Sequence, residues 1–457
     1  MKKLTNLYIV AGCWLVLLCT ASCKKFITVG PPKTEMATSI VFSDSLTAMS
    51  AMAGLYSSMV ESPFGSTSYL ASLSADEIYL TVNSVEDLSF FLNTLLSTNG
   101  KCNELWQAYY KRIYAANAIM EGVAASAGLR PSLKDRLTGE ALTLRAFFHF
   151  NLLNFYGGIP YIDTTDYLKN TIAARLPVAT VYQHIIDDLL RAKTLLPDTY
   201  PAAGRVRVIR PVATALLARA YLYAGKWTEA EAQSTELINN TALYSLLPDL
   251  DKVFLKNSRE SILQQIPLYD NLYTNEGYAF YQPESRKSGF LTETLWQSFG
   301  TGDQRKARWI AAGSNGTETW HYPYKYKQDY SNATGAEYSV VFRLAEQYLI
   351  RAEARTQQNN FTGVNSAAAD VDTIRHRAGL PVTDATTKAA LLTAIEQERR
   401  WELFTEWGHR WFDLKRMGRV DAVMAPLKAG WTTNDALYPI PHSEVLVNVN
   451  MKQNPGY

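Results

Sequence analysis

Pro211-Val212-Ala213-Thr214-Ala215-Leu216-Leu217-Ala218-Arg219-Ala220-Tyr221-Leu222-Tyr223-Ala224-Gly225-Lys226-Trp227 is the stretch on which the fold turns. Leu216, Leu217, Ala220, Tyr221 and Tyr223 recur at helical spacing, the period breaks at Gly225-Lys226-Trp227, and it resumes through Ala230, Ala232, Leu237 and Ile238. Ala220 and Ala230, with Tyr223 between them, are small enough for two antiparallel helices to approach closely, the pattern of a tetratricopeptide-type hairpin. A second unit runs from Phe342 to Arg377, with Leu344, Tyr348, Leu349, Ala352 and Ala354 on one helix and Ala367, Ala368, Val371 and Ile374 on the next. Two looser pairs join Glu140–Phe155 to Val178–Leu195, and Leu46–Val60 to Leu105–Ala124. A hairpin cannot bury its apolar stripe alone, so the units must stack. The expected fold is mainly α: a tetratricopeptide-like, right-handed helical repeat scaffold with a long irregular insert containing short strands.

The helical period fails in two places, about 60–100 and about 245–340, which are richer in Gly, Pro, Asn, Ser and Tyr. The second is far longer than an ordinary connection and should carry short strands and a role of its own. It contains Trp296, Trp309 and the run Trp320-His321-Tyr322-Pro323-Tyr324-Lys325-Tyr326. If that run is extended, Trp320, Tyr322, Tyr324 and Tyr326 share a face.

The 457 residues are 47% hydrophobic and 19% charged, a globular composition. Lys2 and Lys3, an apolar run from Leu7 to Leu18 and then Cys19-Thr20-Ala21-Ser22-Cys23 read as an export signal. That run is shorter than the roughly 20 apolar residues that span a bilayer. The cysteine after small residues marks a lipoprotein signal over 1–22, with Cys23 as the lipid-bearing first residue of one domain, 23–457. Within it, scaffold helices are placed at about 45–60, 104–240 and 342–418. Without Lys2 and Lys3, the 45 basic residues fall to 43, equal to the 43 acidic ones. A protein that tracks phosphates needs a basic excess, so nucleic acid is excluded as a partner. Of four cysteines only Cys102 stands apart from this segment, which rules out a disulfide framework and a CxxC metal site.

Four stretches carry a family resemblance. They are Gly139-Glu140-Ala141-Leu142-Thr143-Leu144-Arg145-Ala146-Phe147-Phe148 with Tyr156-Gly157-Gly158-Ile159-Pro160; Phe342-Arg343-Leu344-Ala345-Glu346-Gln347-Tyr348-Leu349-Ile350-Arg351-Ala352-Glu353-Ala354; Glu398-Arg399-Arg400-Trp401-Glu402-Leu403-Phe404-Thr405-Glu406-Trp407-Gly408-His409-Arg410-Trp411-Phe412-Asp413-Leu414-Lys415-Arg416; and Tyr438-Pro439-Ile440-Pro441, ending in Gln453-Asn454-Pro455-Gly456-Tyr457. In this order, behind a lipoprotein cysteine, they resemble the SusD/RagB family of outer-membrane lipoproteins. Thr143 stands where an aromatic is commoner. The resemblance implies a cell-surface protein anchored in the outer membrane by lipid alone and docked on a SusC-like TonB-dependent transporter. Such a protein acts as a hinged lid that captures a nutrient, usually an oligosaccharide and in some relatives a peptide.

Taken as chemistry, the same motifs point to structure. Arg399, Arg400, Glu402, Glu406, Arg410 and Asp413 alternate in sign, as a solvated face or an inter-helix ion-pair lattice would. Glu406 and His409 form one E-x-x-H pair, but a di-iron site needs a second, and none is found; His409 is therefore read as structural. No zinc-protease, nucleophile-elbow, phosphate-loop or dinucleotide motif is present, and the carboxylate pairs Asp76/Glu77 and Asp187/Asp188 are adjacent and diverge, so no enzyme is expected. No cofactor is expected either: Ca²⁺, bound by some relatives, finds no acidic loop with spaced ligands.

A sugar-binding surface needs aromatic faces for pyranose rings and polar groups for hydroxyls. Trp106, Tyr110, Tyr221, Tyr223, Trp401 and Trp411 lie on periodic helix faces and are assigned to the core. The irregular segments, through which family members bind ligand, leave Tyr69, Tyr79, Trp296, Trp320, Tyr322 and Tyr324, with Asp76, Glu77 and Asn83 as polar partners. Tyr324 and Tyr326 have a rival reading as a plain hairpin strand. The expected function is non-catalytic capture of a glycan for a partner transporter. A peptide cargo, a helical-repeat adaptor without a small-molecule site, and a lipid-anchored hydrolase are the alternatives. Replacing Cys23 by Ser should abolish labelled-palmitate incorporation and release the chain from the membrane fraction; unchanged labelling would overturn the lipoprotein reading.

Overall fold

The computed structural model describes residues 38–80, 84–267, 272–284 and 289–457. Cys23 and Asn83 lie outside the described residues. Thirteen helices are used here: α1 Ser45–Ser58, α2 Thr67–Ser74, α3 Val85–Leu92, α4 Gly100–Ala125, α5 Pro131–Tyr156, α6 Val178–Leu195, α7 Arg210–Tyr223, α8 Trp227–Ile238, α9 Glu293–Ser298, α10 Leu344–Gln357, α11 Ala367–Arg377, α12 Lys388–Leu403 and α13 His409–Arg416. The strands are β1 Ile78–Leu80, β2 Ser261–Gln265, β3 Gly289–Leu291, β4 Ile310–Ser314, β5 Thr319–Pro323 and β6 Ser339–Arg343.

The hairpin predicted at 211–239 is α7 and α8. Pro211 lies in the first turn of α7, where its missing N–H leaves nothing unpaired. Gly225 ends the helix at φ +70°. Its N–H donates to the Leu222 carbonyl at 3.2 Å and that of Lys226 to Tyr221 at 2.9 Å, the paired bonds of a Schellman stop. Ala220 and Ala230 are both fully buried where the two helices meet. From this hairpin the array extends both ways: α1 packs on α4, α4 on α5, α5 on α6, α6 on α7, α8 on α10, and α10 on both α11 and α12. The fold is thus mainly helical and tetratricopeptide-like, and the two looser pairs read from the sequence are both present. The C-terminal tail is docked, its Asn454 amide donating to the carbonyls of Tyr156 at 2.9 Å and Tyr438 at 2.7 Å.

The strands form three two-stranded antiparallel ribbons: β2–β6 and β4–β5 are built by the long insert and its junction with α10, and β1–β3 pairs the early segment with the insert. The early segment differs from its sequence reading, since it contains helices α2 and α3. Ser66 caps α2 and every residue of α2 is buried, so the helix has no polar face to impose a period.

The alternating charges of α12 and α13 form a buried lattice rather than a solvated face. Glu402 accepts from Arg343 at 2.5 Å, Arg305 at 3.1 Å and Arg377. Around it Arg305 also pairs with Asp303 and Glu398, Arg343 and Arg377 with Glu260, and Arg343 and Lys325 with Glu406. Burial alone would raise the Glu402 carboxyl; Arg377, Arg343 and Arg305 instead hold it far below the usual carboxylate range. Asp303, Arg305 and Lys325 come from the insert, Arg343 from the end of β6 where the insert joins α10, and Arg377, Glu398, Glu402 and Glu406 from the scaffold, so the lattice fastens insert to scaffold. Glu402→Gln, which leaves buried guanidinium charge uncompensated, should cost about 3–5 kcal/mol of unfolding free energy. The exposed control Glu229→Gln should stay within about 0.5 kcal/mol; urea midpoints measure both.

Candidate functional site

The candidate site grows from the β1–β3 ribbon, in which Ile78 pairs with Leu291, Tyr79 with Phe290 and Leu80 with Gly289. Side chains alternate along a strand. Ile78, Leu80 and Leu291 therefore point into the core and Tyr79 points out, 51% exposed. The Tyr79 and Phe290 rings lie near-parallel with centroids 5.3 Å apart, and Phe91 of α3 meets Tyr79 edge-on at 5.2 Å. Gly289 permits this pairing, since a β-carbon there would sit 2.6 Å from the Tyr79 carbonyl oxygen. The ribbon continues into α9 through Thr292, whose N–H donates to the Glu77 carbonyl at 2.9 Å and whose hydroxyl donates to that of Asp76 at 2.7 Å.

Trp296 of α9 stacks on His321 of β5 at 3.6 Å, with the Lys306 ammonium 4.0 Å from its ring. Burial, opposed by Glu293 and aided by Lys306, lowers the His321 imidazole below its ordinary range, so the stack is uncharged at neutral pH. Tyr79 with Phe290, and Trp296 with His321 beside Glu293 and Lys306, are two aromatic pairs carried on the neighbouring elements β3, α9 and β5, and are taken together as the candidate aromatic face.

The other sequence-chosen residues have structural positions that correct the expectation of exposure. Tyr69 is fully buried in α2 between Phe64 and Phe280. Trp320 and Tyr322 do share a face of β5, but it is the inner one; the Trp320 indole N–H donates to the Gln282 carbonyl at 2.9 Å. The strand ends at Pro323, so Tyr324, half-buried against Tyr281, does not continue that face outward. Asp76 pairs with Arg400 and Arg410, each at 2.7 Å; burial would raise it, and the two guanidiniums hold it below the usual range. Glu77 is buried, accepting from the Ser72 hydroxyl at 2.8 Å and the Thr405 N–H at 3.2 Å. Phe91, Phe290, Lys306 and His321 were missed. The signal that could have found His321 is the rule that the bulkier apolar set of an alternating strand points inward.

Among the described residues no group of three or more His, Cys, Asp and Glu is placed to hold a metal. Glu406 is engaged by Arg343 and Lys325, and the buried His409 ring lies 3.4 Å from Arg219. Nor is any helix among these residues long and apolar enough to cross a membrane.

Two family models match the chain: one described as "Starch-binding associating with outer membrane" over residues 25–222 and one described as "SusD family" over 267–457. The chain belongs to the SusD/RagB family. Among its relatives is SusD-like protein P2 of Formosa agariphila, 26% identical over 79% of this chain and 82% of that protein. Two solved SusD-type structures share the fold. A laminarin binding SusD-like protein superposes with a TM-score of 0.77 at 24% identity, covering 91% of this chain and 100% of that one. Surface glycan-binding protein A from Bacteroides thetaiotaomicron, in complex with laminarihexaose, does so with a TM-score of 0.75 at 18% identity, covering 90% and 99%.

Next to β1, burial pushes the Glu77 carboxyl up from 4.5 to about 7. As pH rises between those values the unfolded chain loses its proton first, so Glu77 subtracts stability progressively and by a constant amount above. Glu77→Gln removes that slope, and its stability relative to the parent should improve by about 2–3 kcal/mol between about pH 5 and pH 8. Urea unfolding of both proteins at each pH measures it, and a pH-independent difference would show Glu77 ionised throughout.

Proposed function

We propose that this chain is a lipid-anchored, outer-membrane glycan-binding protein that holds an oligosaccharide on the Tyr79–Phe290–Trp296–His321 face and passes it to a SusC-like TonB-dependent transporter. The carrying observation is the Tyr79–Phe290 pair, held outward on a ribbon whose inner side is locked into the core. A pyranose ring presents an apolar face that such rings cover, and Glu293 and Lys306 stand ready for its hydroxyls. The chain's role is then binding, with transport work done by the partner. The relatives support the class of ligand: one is described as laminarin binding and another was solved with laminarihexaose. Trp296 already stacks on His321, so ligand meets a preformed platform and loses little freedom in ordering it.

Of the residues first chosen, Tyr79 and Trp296 are assigned to ligand. Tyr69, Asp76, Glu77, Trp320 and Tyr322 support the face from beneath. Affinity electrophoresis against a polysaccharide panel that includes laminarin, with calorimetry on the hits, tests the proposal. One glycan class should retard the chain, and Tyr79→Ala/Trp296→Ala should weaken that binding about tenfold or more. Retardation unaffected by the double variant would place the site elsewhere. No retardation by any glycan would favour peptide cargo or the adaptor reading, and release of shortened product by the purified chain would favour the hydrolase.

A further inference from the structure

A concave surface that shares no residue with the aromatic face lies between α4, the short helix Tyr167–Asn170 and the short helix His442–Val447. It is a groove of about 330 Å³ lined by Trp106, Tyr110, Tyr114, Tyr167 and Glu444. Its floor is rigid: Trp106 is buried with its ring 4.8 Å from that of Tyr110, whose hydroxyl donates to the Pro160 carbonyl at 2.9 Å. Its mouth is aromatic and open, with Tyr114 53% and Tyr167 70% exposed. Glu444 is half-buried in the wall, and no cation among the described residues pairs with it. Burial raises its carboxyl.

A carboxylate drawn partly out of water without a counter-charge is unfavourable, and a neutral polyol does not offset it. Aromatic faces attract cations independently of that charge. The two observations converge on a positive nitrogen carried on a ring that can lie against tyrosine. An open mouth with two tyrosine faces suits a sugar ring better than the thin alkyl stem of a lysine. We propose that this groove is a second ligand site that takes an amino sugar, its ammonium against Glu444 and its ring on Tyr114 and Tyr167. The inference rests on the glycan reading only for the class of molecule.

Calorimetry on the whole chain in detergent, with fully deacetylated chitobiose and its N-acetylated counterpart, tests it. The free amine should bind, and N-acetylation should weaken binding about tenfold or more, the scale of one lost charge contact. Glu444→Gln, which keeps the side chain's shape and removes its charge, should cause the same loss, as should Tyr114→Ala/Tyr167→Ala. None of these should alter glycan retention by the aromatic face, and Tyr79→Ala/Trp296→Ala should leave the amine affinity unchanged, so the two sites fail separately. No binding of the amine, equal affinity for the acetylated sugar, or an unaltered affinity in folded Glu444→Gln would overturn the proposal. Tighter binding of Nα-acetyl-lysine methylamide than of the disaccharide would overturn it in favour of a peptide.

Discussion

The Glu402–Arg343 contact at 2.5 Å, inside a lattice closed off from water, is the interaction on which the rest of this structure depends. Replacing such a lattice wholesale by apolar groups is often neutral or stabilising, so its worth lies in what it specifies. A carboxylate satisfied by three guanidiniums tolerates little displacement of any of them. Three come from separate parts of the chain, at Arg305, Arg343 and Arg377, so one acidic side chain of α12 fixes the insert and α11 together. The turn that follows α12 is strained to suit, with Thr405 at φ +55° and Trp407 at φ +43°. Such conformations cost on the order of 1–3 kcal/mol each and persist only where the surroundings impose them. Here Lys325 donates to the carbonyls of Glu402 and Phe404, and Trp407 N–H donates to the Ser68 hydroxyl.

From that turn the constraint passes to the candidate site in two steps. Asp76 is gripped by Arg400 and Arg410 on either side of the strained residues, and Glu77 takes the Thr405 N–H. The next residues are β1, whose register with β3 decides that Tyr79 stands opposite Phe290. The aromatic face is therefore positioned by buried charge, although almost none of its own residues is charged.

How much of this was legible follows from where each signal resides. The α7–α8 hairpin was readable because a half-buried helix shows its 3.6-residue period and Gly225 marks its end locally. Helix α2 was not, because burial on every side removes the polar face and Tyr69 then looks like an aromatic in irregular sequence. The sign alternation of α12 and α13 was visible, but its burial depended on Arg305, Lys325 and Arg343, which lie 59 to 97 residues from the acids they meet. In β5 the alternation was visible, and its phase could have been read only from the bulk of Trp320 and Tyr322 against His321. Pairing with β4 settles it, setting Trp320 opposite Gly313, where a β-carbon would come within 2.4 Å of the indole nitrogen. Tyr79 survived the same test because Ile78 and Leu80 on either side are the apolar set.

The β1–β3 ribbon also separates two kinds of selective pressure. Its inward residues are bound to the core, whereas Tyr79 and Phe290 face outward and stack on each other. On the proposed reading, a substitution at Tyr79 or Phe290 would alter what the surface recognises while leaving the packing beneath it in place. On that reading, a lineage carrying this scaffold could change its ligand by drift at a few outward positions, without passing through a destabilised ancestor.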